Sequence, residues 1–295
     1  MTEMPKKALP GHIAAALAGA GGSTDSAGQP WAGRDLPTQE KYHNFDTDDG
    51  ATDAGFAAAL QALAAGDGSE AQVVASLATA RVFIPIVAQL AEQTVGENGL
   101  VSDKESDMAL VTLNGPDGRR ALPVFTNAAA LTRWHPEARP VAVYAARAAL
   151  SAVAEDAAML VLDPGSDRPF VVRRPAMWAL AQQQQWQPSY GDEAVDRVLR
   201  DSVSAAGNTA VTDISASAGQ GIESLWGTKG EPSERVSGGG TGPELCVTLT
   251  LLPGLDQLEV NELLNRLQEY WASNEYFAAA VDSIQIRLQL QHPQN

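Results

Sequence analysis

From residue 54 onward, stretches of helical and strand character alternate along the chain. Residues 54–65 (AGFAAALQALAA) are strong helix formers, with Asp53 before them as a cap and Gly66 closing the run. Ser69 with Gln72 three residues on forms a capping box that opens a second helix, to about Ala80. RVFIPIV (81–87) is rich in β-branched residues and predicts a strand; Pro85, lacking an N–H, biases it to an edge or a bulge. Two apolar runs, 108–113 and 121–125, flank Asn114-Gly115-Pro116-Asp117-Gly118 and predict a β-hairpin. Thr126 is placed to cap a short helix through about Trp134. A strand at 140–144 and a helix at 145–155 follow. Residues 158–162 and 169–173, around Asp163-Pro164-Gly165-Ser166, predict a second hairpin. Pro175 opens a helix over 175–186.

A second unit follows Pro188. Asp192 caps a helix whose Val195, Val198, Leu199 and Val203 recur at helical spacing. A weak strand covers 210–216, and 219–243 reads as a Gly/Ser/Pro-rich linker or long loop. Strand 244–252, helix 256–273 and strand 282–290 complete the unit. Residues 1–52 read as a flexible tail, rich in glycine and poor in periodic apolar positions. Strands interleaved with helices imply an α/β protein with a mixed sheet. The expected organisation is a tail at 1–52, one small α/β domain at 53–187, and another at 188–295 that contains the 219–243 loop.

Composition narrows this picture. The chain has 295 residues, 44% hydrophobic, with a formal charge of -16. That balance argues against nucleic acid as a partner, because phosphates require a basic face. The excess is uneven: residues 54–187 carry 10 basic and 13 acidic side chains, whereas 188–295 carry 6 and 15, a net charge of -9. No stretch approaches the length of a membrane helix. Lys6 and Lys7 before an Ala-rich run loosely imitate a signal peptide, but Glu3 and Pro10-Gly11-His12 break the pattern. With Cys246 as the one cysteine, a disulfide framework is excluded and the cytoplasm is the expected compartment.

The chemistry is mostly negative. His12, His43, His135 and His292 have no partner at metal-ligand spacing, so no metal and no cofactor is expected. Nucleophile-elbow, Walker and dinucleotide-loop motifs are missing, and no catalytic residue is assigned. Asp46-Thr47-Asp48-Asp49-Gly50 fails the calcium-loop spacing and reads as a solvated acidic run before the cap Asp53. Two features remain. Arg119, Arg120, Arg173 and Arg174 lie in or just beyond the strands of the two predicted hairpins and are expected to converge on one side of the sheet. There they would suit an acidic partner or an anionic small molecule, against the plainer reading of solvated arginines paired with carboxylates. Trp31 in the tail and Trp226 in the loop either fold back on a domain or anchor a partner.

The middle segment resembles the SseB family, the enhanced serine sensitivity proteins. The resemblance rests on RVFIPIV (81–87), DKESDMALVTLNGPDGRRALPVFTNAAALTRW (103–134), PVAVYAARAAL (140–150) and AMLVLDPGSDRPFVVR (158–173), and covers about residues 53–187. With DKESDMA before the first hairpin and a long tail, it looks like the actinobacterial form. The resemblance implies a two-domain α/β cytoplasmic protein, accessory or regulatory in serine or sulfur metabolism, and brings no catalytic residues. The expectation is therefore a non-catalytic protein acting through contact with another protein. The alternative is a small-molecule sensor or enzyme using a cleft between the two domains.

Overall fold

The computed structural model describes residues 45, 48–89, 107–115, 118–207, 209–228 and 233–291. Most of the tail, including Trp31, and the polar stretch 90–106 lie outside them. In chain order the elements begin with helices α1 (Ala54–Ala65) and α2 (Glu70–Ser76), then strands β1 (Arg81–Gln89), β2 (Asp107–Leu110), β3 (Leu113–Asn114) and β4 (Arg120–Val124). Helix α3 (Ala128–Trp134), strand β5 (Arg139–Tyr144), helix α4 (Ala145–Ala154) and strands β6 (Met159–Leu162) and β7 (Phe170–Val172) come next. Helices α5 (Arg174–Ala181) and α6 (Glu193–Ala206) precede strands β8 (Val211–Ala218), β9 (Glu223–Trp226), β10 (Glu234–Ser237) and β11 (Leu245–Leu251). Helices α7 (Gln257–Ser273) and α8 (Glu275–Ala280) and strand β12 (Ile284–Leu290) complete an α/β fold.

The chain divides into two compact units that are not contiguous in sequence. One takes the described residues up to Ala57 together with Ser76–Ser166; the other takes Ala58–Ala75 with the described residues from Asp167 onward.

In the first unit, β1 lies between β2 and β5, both antiparallel to it. Pro85 therefore sits in a central strand, not at an edge. It faces Pro140 across the β1–β5 pair, and the β2 ladder stops at Ile86↔Leu110, with Pro85 O still accepting Val111 N–H at 3.4 Å, so the missing proline N–H coincides with the end of that ladder. The predicted hairpin is divided between two sheets: Leu110 pairs with β1, while Leu113 pairs with Ala121 of β4. Strand β6 runs parallel to β4. Phe83 and Phe125 join the sheets by exchanging both backbone hydrogen bonds, and pack with Ala130, Leu131 and Ala138.

In the second unit, β11 lies between β8 (antiparallel) and β12 (parallel). Leu245, Val247, Leu249 and Leu251 alternate toward Leu263, Leu267 and Trp271 of α7 and Val195 and Leu199 of α6, the core of this unit. The stretch expected as a loop at 219–243 contains the hairpin β9–β10. Its glycine content conceals this, because the two strands are only four residues each.

Candidate functional site

Pro175 sets the start of α5 and leaves Arg173 as its N-cap, aimed into the second unit. Arg173 is 2% exposed. Its Nη1 donates to Gly242 O at 2.7 Å and its Nη2 to Gly221 O at 2.9 Å. Asp282 Oδ2 lies 3.8 Å from Nη1. The two carbonyls come together because Gly221 and Gly242 pack backbone on backbone, with Gly242 N–H donating to Gly221 O at 3.1 Å. The glycine-rich stretch is thus a closely packed cradle for a guanidinium.

Carboxylates surround it. Glu244 is fully buried; its Oε1 accepts from Ser189 N–H at 3.1 Å and Ser189 Oγ at 2.7 Å, and its Oε2 from Asp282 N–H at 3.0 Å. Glu70, the first residue of α2, accepts Gly239 N–H at 3.0 Å on Oε1, while its Oε2 and Arg173 Nε make no hydrogen bond. Burial pushes the Glu70 carboxyl above its ordinary range and Glu244 adds to this, against the Gly239 N–H, Arg173 and the Tyr190 hydroxyl. Burial, Glu70 and Glu244 likewise push the Tyr190 phenol up.

The first unit has its own polar node. Arg81 grips Asp48 with two bonds, Nε–Oδ2 at 2.6 Å and Nη2–Oδ1 at 2.7 Å, and donates to the carbonyls of Thr126 and Ala51. Asp163, held at φ 46°, accepts Thr126 N–H at 2.8 Å and Thr126 Oγ at 2.6 Å. Thr126 is therefore committed to Asp163, and Asn127 caps α3 in its place through Ala130 N–H. This corrects the assignment of the cap to Thr126. Burial outweighs the Thr126 bonds and Arg133, and raises the Asp163 carboxyl.

One open surface stands out on the second unit. Strand β12 (IQIRLQL) is an edge strand beside β11. Ile284, Ile286, Leu288 and Leu290 share one face at period two. The helix layer packs over β11 and reaches Ile286, but leaves Ile284, Leu288 (44%) and Leu290 (65%) exposed.

Residues 56–179 match the family model described as the SseB protein N-terminal domain. That match assigns residues 56–179 to the SseB N-terminal domain. No curated protein and no solved structure matches it. Among the described residues of this chain, no helix is long and apolar enough to cross a membrane, and no three of His, Cys, Asp and Glu gather as metal ligands.

The arginines singled out from sequence fall into two groups. Arg119 and Arg120 lie in the first unit, where Arg120 donates to Thr112 Oγ at 3.4 Å and lies 4.0 Å from Glu155. Arg173 and Arg174 lie in the second and are spent on main-chain carbonyls, Arg174 on those of Ala278 and Val281 at 2.8 and 2.7 Å. Trp226 is buried in β9, its indole N–H donating to Pro169 O at 3.0 Å. Cys246 is buried beside Thr248. Sequence reasoning missed Glu70, Tyr190 and Glu244, since nothing in their local spacing announces that glycines 219–242 fold around Arg173.

Proposed function

We infer that this SseB-family protein is non-catalytic and works in the cytoplasm by protein–protein contact, accessory to serine or sulfur metabolism, the last link coming from the family resemblance. The observation that carries the contact is the β12 edge. A seven-residue edge strand with three exposed apolar side chains on one face is a template for strand addition, which monomeric proteins normally blunt. The occupant is a partner segment in extended conformation with basic residues around its apolar ones, because residues 188–295 carry a net charge of -9. Arg287 is the one charge on β12 itself.

The test is affinity purification from the native host with the wild-type chain and with Leu288→Lys/Leu290→Lys in parallel. Both positions are exposed, so the unfolding midpoint should not move. A basic protein retained by wild type and lost by the double variant is the expected result. The same proteins retained by both, or a metabolite in place of a protein, would overturn the reading.

A further inference from the structure

We propose that Arg287 selects what joins the β12 edge: it pairs with a carboxylate at the centre of an antiparallel partner segment, between two apolar residues of that segment. This selection presupposes the proposed strand addition at β12 and gives that edge a preferred sequence.

The backbone of β12 fixes how a strand would sit on it. Leu245 N–H donates to Ser283 O at 3.0 Å and Gln291 N–H to Leu251 O at 2.8 Å, so the odd-numbered residues of this stretch turn their N–H and C=O groups toward β11. The backbone groups of Ile284, Ile286, Leu288 and Leu290 therefore point to the open edge. An added antiparallel strand, the more stable orientation per residue, takes its hydrogen bonds from those four. Arg287 lies midway along them at a non-hydrogen-bonded site, where facing residues come within about 4.5 Å between Cα atoms and side chains meet most closely.

Nothing in its own sheet neutralises Arg287. The residue is exposed, and among the described residues its side chain makes no hydrogen bond and no ion pair. Its row across the sheet continues with Thr248 and Ser215, and the nearest carboxylate in register, Asp213, stands two strands away in the next row, beyond Thr250. On β12 its neighbours along the same face are Gln285 and Gln289. An unpaired arginine is notable where residues 188–295 carry 15 acidic side chains and 6 basic ones. It points away from the face of Ile284, Leu288 and Leu290, so it does not interrupt the apolar one. In the added strand, the residues facing Ile286 and Leu288 are apolar and the one between them faces Arg287. Opposite charges facing each other across strands attract and like charges repel, which makes that central residue acidic. The basic residues of the segment lie outside this centre. The diffuse charge they answer is screened beyond about 8–10 Å, whereas Arg287 acts at contact.

The test is fluorescence anisotropy of two labelled peptides with the full chain at physiological salt. One is Lys-Lys-Val-Thr-Val-Glu-Val-Thr-Val-Lys-Lys; the other has Lys in place of the central Glu. Wild type should bind the Glu peptide about fivefold more tightly, the combined effect of one attractive and one repulsive facing pair. Arg287→Gln should lose this preference and Arg287→Glu should reverse it, which a general loss of structure could not do. Equal affinity of wild type for the two peptides, a preference for the Lys peptide, or a preference that Arg287→Glu leaves unchanged overturns the selection while leaving the docking edge intact. If neither peptide binds wild type, or both bind Leu288→Lys/Leu290→Lys as tightly as wild type, the docking edge itself falls and the selection falls with it.

Discussion

Gly221 and Gly242 are in backbone contact: a Cβ added to Gly221 would stand 2.0 Å from the carbonyl carbon of Gly242. No side chain fits there, and both carbonyls are acceptors of Arg173. Gly221→Ala should therefore destabilise the second unit by about 3 kcal/mol through overpacking. Gly191→Ala, where a Cβ meets nothing within 4 Å, is the control and should shift stability by no more than about 0.5 kcal/mol. Urea unfolding followed by circular dichroism measures both.

Trp226 gives a graded prediction. Trp226→Phe keeps most of the ring volume and removes the indole donor to Pro169 O, a loss of about 1 kcal/mol. Trp226→Ala also opens a cavity at a site where the native side chain is 2% exposed and should cost about 3–5 kcal/mol. Equal losses in the two variants would mean that the indole N–H, not the burial, dominates.

Asp48 and Arg81 predict a pH dependence of stability. Burial works against the Asp48 carboxylate, but Arg81 and the Gly50 N–H outweigh it and hold the carboxyl below its ordinary value of 3.8. The pair thus contributes stability above pH 3.8 that is lost as pH falls through the lowered value. Asp48→Asn should be less stable than wild type at neutral pH, with the gap narrowing as pH falls through the lowered value. Arg81→Lys should show part of the same loss, since an ammonium cannot reproduce the two-pronged grip. Thermal unfolding across pH reads both variants.

Much of the fold is legible in the sequence because its signals are local. Helix α1 follows from AGFAAALQALAA, the Asp53 cap and Gly66, and the capping box at Ser69 and Gln72 forms as its spacing predicts. Pairing partners are less legible. The run MALVTL looks like one strand, yet it leaves β1 at Leu110 and joins β4 at Leu113, a choice made by tertiary neighbours. The polar centre is hidden for the same reason. Arg173 is visible as an arginine beside a strand, but its burial depends on glycines about 50 to 70 positions away, and Glu70 reaches it from the other side in sequence. Glycine content alone signals a flexible loop as readily as a cradle.

The most direct test of the proposed contact is hydrogen exchange on the complex of this chain with the protein it retains. Residues 284–290 should exchange at least about tenfold more slowly in the complex than in the free chain, because a strand added to β12 occupies its open edge. Unchanged exchange at 284–290, with protection appearing on another surface, would contradict the account.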